Sequence, residues 1–148
     1  MKHKLKNALI LTSVCIGSLH IINQFISSAA TVKNLLPIRP GKYFDWRHGR
    51  VYYRKFGSGK PLLLIHDLDP SASAYEWNQL EQQLAKDFTV YSIDLPGCGR
   101  SDKSNMIYTN YFYVQLLNDF TENVIRKKTN VAATGLSGSF VIMAANNN

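Results

Sequence analysis

Three short stretches carry residues whose types and spacing could do chemistry. In the first, an apolar run from Val131 to Thr134 turns through Gly135-Leu136-Ser137-Gly138-Ser139 into Phe140-Val-Ile-Met-Ala-Ala145. A strand, a sharp small-residue turn with a serine at its apex, then a helix is how a nucleophilic serine is presented clear of its own backbone. Ser137 is the expected nucleophile, with Gly135 and Ser139 as the small residues two positions either side. The Gly138 N–H, at the start of the helix, is expected to stabilise negative charge developing on a substrate oxygen. The second stretch, Leu62-Leu-Leu-Ile-His66-Asp67-Leu68, is a continuous apolar strand ending in a histidine and an acid. The third runs from another apolar strand, Phe88–Ile93, into Asp94-Leu-Pro-Gly97-Cys-Gly99-Arg-Ser101-Asp102.

Elements alternating along the chain position these stretches. Tyr43–Trp46 and Arg50–Phe56, joined through Arg47-His48-Gly49, read as a β-hairpin. Ser73-Ala-Tyr-Glu76 has capping-box spacing and opens a helix that would bury Trp77, Leu80 and Leu84. Thr109 caps a longer helix with Tyr113, Leu117, Phe120 and Val124 on one face, ended by Arg126-Lys-Lys128 where cations suit the helix dipole. Strands and helices alternating from residue 61 predict an α/β fold with a mostly parallel sheet covered on both faces.

Composition narrows the partners. The 148 residues leave room for one domain and carry a formal net charge of +7. Residues 1–60 hold eleven Lys/Arg and one acid, whereas residues 61–148 hold six and nine. The basicity therefore belongs to the N-terminal part, and no basic cluster interleaved with aromatics indicates nucleic acid. The two cysteines, Cys15 and Cys98, imply no disulfide framework, and the four scattered histidines share no metal-ligand spacing with them, so neither metal nor cofactor is expected. Gly57-Ser-Gly-Lys60 precedes a strand and a proline, which rules out a phosphate loop.

Lys2, Lys4 and Lys6 ahead of an apolar segment from Ala8 to about Ala30 predict a signal-anchor or transmembrane helix over residues 1–30. The alternative is a signal peptide cleaved at Ser28-Ala29-Ala30. Either version puts the rest of the chain outside the cytoplasm, the anchor version tethering it to the membrane. Residues 31–41 read as a proline-containing linker and 42–148 as the folded domain.

In order and spacing the three loops resemble the α/β-hydrolase superfamily, and the resemblance covers residues 42–148. It implies Ser137 as nucleophile and the N–H groups of Leu68 and Gly138 as oxyanion-hole donors. It implies His66 as a residue shaping its loop and not the base, and Asp94, Gly97, Gly99 and Ser101 as a structural loop beside the site. Asp67 stands where the family has glycine, and Ser139 where the elbow ends in glycine. A carboxylate beside an oxyanion hole opposes a developing oxyanion unless it is turned away or paired. The triad acid and histidine of such enzymes follow the nucleophile in the chain, and neither is expected here. The expectation is thus the N-terminal half of a serine hydrolase acting on a small ester or related acyl compound, inactive in this form, folding poorly with its Val131–Thr134 strand as a bare edge. The rival expectation is a non-catalytic, membrane-tethered fragment or degraded gene product.

Overall fold

A computed structural model describes residues 2–31 and 40–146. The chain divides into two compact units, residues 1–38 and 39–148. The first contains helix α1 (Lys2–Thr31), whose described apolar side chains, Leu11, Leu19 and Phe25 among them, are all exposed. Among the described residues no helix is long and apolar enough to cross a membrane. The transmembrane expectation is corrected accordingly: Ser18, His20, Asn23 and Gln24 interrupt the apolar run before it reaches the roughly 20 residues a span requires.

The second unit is built on a five-stranded sheet. Strands β1 (Lys42–Trp46) and β2 (Gly49–Phe56) form the expected antiparallel hairpin. Strands β3 (Lys60–Ile65), β4 (Phe88–Ile93) and β5 (Asn130–Ala133) are the apolar runs read from the sequence. The order is β1-β2-β4-β3-β5, with β2 antiparallel to β4 and β3 parallel to both β4 and β5. The sheet is therefore mixed, its parallel half carrying the three candidate loops. Leu63, Leu64 and Ile65 are fully buried between two neighbours, whereas β5 lies at the sheet edge with Val131 exposed.

Helices cover both faces. Successive strand residues point to opposite sides. In β2, Tyr53 meets Phe120 of α3 (Asn110–Phe120) edge-on at 5.2 Å, while the next residue, Arg54, bonds Glu81 of α2 (Asn78–Leu84). The α3 face is the expected one: Tyr113, Leu117 and Phe120 are buried, and Thr109 caps it by accepting from Phe112 N at 3.2 Å. A π-turn over Thr121–Ile125 carries the helix to Arg126, the one non-glycine described residue with positive φ (59°).

The α2 region differs from its sequence reading. A 3-10 turn over Ala74–Trp77 precedes it, and its buried residue is Glu81, while Leu80 is exposed. Arg54, itself buried in β2, needs a counter-charge, because an unpaired buried cation costs more than an exposed leucine. The capping box is half made: Ser73 Oγ accepts from Tyr75 N, but Glu76 takes the Asp67 N–H (3.1 Å) in place of its own cap.

Candidate active site

The C-terminal ends of β3, β4 and β5 bring the three loops together, the position where open α/β sheets carry their sites. After β4, Asp94 is buried and both its oxygens are occupied. Oδ1 accepts from Ala74 N at 2.7 Å and Oδ2 from Arg100 N at 2.8 Å. Gly99 (φ +48°) leaves room for that carboxylate, since a Cβ there would lie 2.2 Å from Asp94 Oδ2. Gly97 also turns with positive φ, at +88°. Ser101 Oγ donates to the Asp94 carbonyl and accepts from Tyr52 N at 2.9 Å, clamping the loop to the hairpin. Cys98, also in this loop, is buried, and burial pushes its thiol up to about 11, well out of the range of a thiolate nucleophile.

After β3, His66 is fully buried with both ring nitrogens engaged. Nε2 accepts from Leu95 N at 2.9 Å, which puts the proton on Nδ1, 2.7 Å from the Asp67 carbonyl. Burial pushes its pKa below the ordinary histidine value and holds the ring neutral. It is a loop-shaping residue with no nitrogen free to act as a base.

The turn after β5 departs from the sequence reading by two positions. Ser137 is the first residue of α4 (Ser137–Asn146), fully buried, its hydroxyl donating to the His66 carbonyl at 2.7 Å. An attacking serine must face a substrate; this one ties the helix start to β3. Gly138 N donates to Gly135 O at 3.3 Å, within the turn. Ser139, exposed, donates to Leu136 O at 2.8 Å. The left-handed residue of the turn is Gly135, at φ +54°.

A residue absent from the sequence-derived site completes the arrangement. Asp67 Oδ1 accepts two backbone N–H groups, from Leu68 at 2.7 Å and from Leu136 at 2.8 Å. Leu68 N–H is thus one of two donors converging on this oxygen, and the other is that of Leu136, exposed in the turn. The carboxyl sits against Gly135, where a Cβ would come within 2.1–2.3 Å of Oδ1, Cγ and Oδ2. Half of the signal for this pairing lay in the sequence, as an acid where a glycine is expected.

The sequence model of the alpha/beta hydrolase family matches residues 62–146, the segment that carries all three loops. The chain belongs to that family. An uncharacterised protein of Mycobacterium tuberculosis (strain H37Rv) is 31% identical over 118 residues, covering 76% of this chain and 34% of that relative. A soluble epoxide hydrolase of a Corynebacterium (strain C12) is 44% identical over 54 residues, 36% of this chain and 18% of the relative. Among solved structures, a meta-cleavage product hydrolase of Pseudomonas fluorescens superposes with a TM-score of 0.68 at 26% identity, over 72% of this chain and 40% of that one. The chain thus spans about a third or less of the length of the curated relatives it matches.

Several other polar groups of this unit are engaged away from Asp67. His48 packs against the rings of Trp46 (4.7 Å) and Phe112 (5.5 Å). Asp119 receives Trp46 Nε1 at 2.7 Å and pairs with Arg47. Asp102 accepts Arg50 N at 2.9 Å, and these bonds hold its carboxyl below the usual range. Among the described residues no group of His, Cys, Asp and Glu could hold a metal ion.

Proposed function

We propose that the chain carries the charge-stabilising part of a hydrolase acting on a small, uncharged molecule with a polarised carbon–oxygen bond, an ester or an epoxide. The observation that carries this reading is the convergence of Leu68 N–H and Leu136 N–H on a single oxygen at the ends of β3 and β5. Two preorganised donors aimed at one point stabilise an oxygen as it gains negative charge. Family membership and hydrolase relatives support the reaction class. Serine chemistry at Ser137 is less well supported, since that hydroxyl is buried against His66 O. Repeated turnover by this chain alone is not expected, because both ring nitrogens of His66, the histidine at the three loops, are engaged.

The reading is tested by incubating the 148-residue chain with panels of aryl esters and aryl epoxides and following substrate loss. Consumption of about one equivalent per chain supports it. No consumption of any member refutes it and favours the second reading, a non-catalytic binding unit, for which the buried Ser137 and the engaged His66 speak.

For location, we propose export of the residues from about Lys33 onward, with α1 acting as a signal. An export signal needs an apolar core of only about 7–15 residues, and Ala8–Gly17 supplies one behind three lysines. A C-terminal tag recovered in the soluble cytoplasmic fraction would refute this.

A further inference from the structure

We propose that Asp67 has taken over the place of the elbow's nucleophile, and that the covalent chemistry of this site starts on its Oδ2 atom. The inference rests on the hydrolase reading above and names the reacting group within it. Gly135 holds the left-handed position at the sharpest point of the turn between β5 and α4, the point from which a side chain would project toward the two converging donors. It has no side chain, and the carboxyl of Asp67 occupies the volume a Cβ at residue 135 would need. The exchange is reciprocal. A side chain at residue 135 would evict the Asp67 carboxyl, and the carboxyl fits only because residue 135 is glycine.

The two oxygens of Asp67 are not equivalent. Oδ1 takes both N–H bonds, while no described residue bonds Oδ2. The Asp67 backbone is fixed from the other side by its own N–H, donated to Glu76 Oε2 at 3.1 Å. One oxygen anchored and one available is the geometry of a positioned carboxylate nucleophile. The same geometry selects the substrate. Attack on an ester would give a mixed anhydride, an uphill product, and the substrate's carbonyl oxygen would find both N–H donors already taken. Attack on a saturated carbon that carries a strained ether oxygen has neither difficulty. An electron pair of Oδ2 forms the bond to the epoxide carbon. The carbon–oxygen bond of the ring breaks, and the ring oxygen takes a proton from water. The product is a hydroxyalkyl ester of Asp67 whose carbonyl oxygen is Oδ1. Hydroxide adding to Cγ then places its charge on Oδ1, between the Leu68 and Leu136 donors. Collapse of that adduct breaks the Cγ–Oδ2 bond, and the leaving alkoxide takes the proton of the newly formed carboxyl group. A diol departs and the carboxylate returns, carrying one oxygen from the solvent.

The test uses the 148-residue chain and styrene oxide, read by intact mass and peptide mapping. One probe molecule is expected on the peptide containing Asp67. At least tenfold less adduct is expected in Asp67→Asn, whose amide oxygen can still accept both N–H groups and preserve the loop. Ser137→Ala should label like the parent chain. Gly135→Ala retains Asp67 but fills the carboxyl's space, and should also lose the adduct. Chains that consume the epoxide in 18O-water should gain the heavy oxygen at Asp67. Equal labelling of parent and Asp67→Asn, an adduct mapped elsewhere, or epoxide consumed with neither adduct nor 18O at Asp67 would overturn the inference while leaving the hydrolase reading in place. Consumption of none of the panel would remove both.

Discussion

Two aspartates end neighbouring strands of this sheet, and they are used in opposite ways. Asp94, after β4, is buried and spends each oxygen on a different backbone N–H, from Ala74 and from Arg100. Asp67, after β3, spends one oxygen on two N–H groups and leaves the other without a partner among the described residues. Each lies against a glycine that makes room for it, Gly99 for Asp94 and Gly135 for Asp67. The lesson is that two carboxylates at strand ends, each with a glycine making room for it, differ in how their two oxygens are shared out.

The comparison can be broken most forcefully at Asp94. Its replacement by alanine orphans two N–H groups, and the expected loss is about 3 kcal/mol or more, read as a fall in the urea midpoint or as insoluble protein. A stable Asp94→Ala chain would mean that the loop is held elsewhere. Next in size is Gly135→Ser. With Asp67 present the new side chain collides with the carboxyl, and the expected cost is about 1–3 kcal/mol. In an Asp67→Gly background the collision is gone, so a double-mutant cycle should return a coupling of about 1 kcal/mol or more. Additive effects would show that the two residues do not share one space.

His66 sharpens the contrast through pH. Burial lowers its pKa, so below about pH 6.5 the unfolded chain binds a proton that the folded chain refuses. Its contribution is complete above that pH and is lost as pH falls toward the depressed folded value, with a slope of at most about 1.4 kcal/mol per pH unit. Urea titrations at pH 7.5, 6.5 and 5.5 should show falling stability; a flat profile would mean that the ring takes up its proton equally in the folded and the unfolded chain. The smallest effect belongs to Asp67→Asn, expected to change stability by about 0.5 kcal/mol or less. A loss as large as that of Asp94→Ala would make Asp67 a structural residue like its neighbour.

Much of this arrangement was legible in the residues. The hairpin, the apolar strands β3, β4 and β5, and the α3 face follow from short apolar runs and periodicity strong enough to survive packing. The α2 face was not legible, because its buried residue is a glutamate chosen by a distant arginine, a pairing that no local pattern encodes. The elbow was half legible. Its place between β5 and α4 was clear, but a run of small residues offers more than one apex: Ser137 has Gly135 and Ser139 about it, and Gly135 has Ala133 and Ser137. Sequence favours the residue with a hydroxyl; the backbone gives the left-handed turn to the residue without a side chain. Deciding between them requires knowing what fills the space opposite, and that residue is Asp67, at a sequence separation of 69 from Leu136.

That separation has a kinetic meaning. Strand β3 forms early in the chain but finds its parallel partners only in β4 and then in β5, and parallel pairings between distant segments are among the slowest contacts to close. The hairpin can zip locally and β3 can wait against β4, yet the Leu136 N–H reaches Asp67 only when β5 and α4 dock. The Asp67 carboxylate therefore gains its second N–H only once a strand and a helix 69 residues further along the chain have joined the sheet.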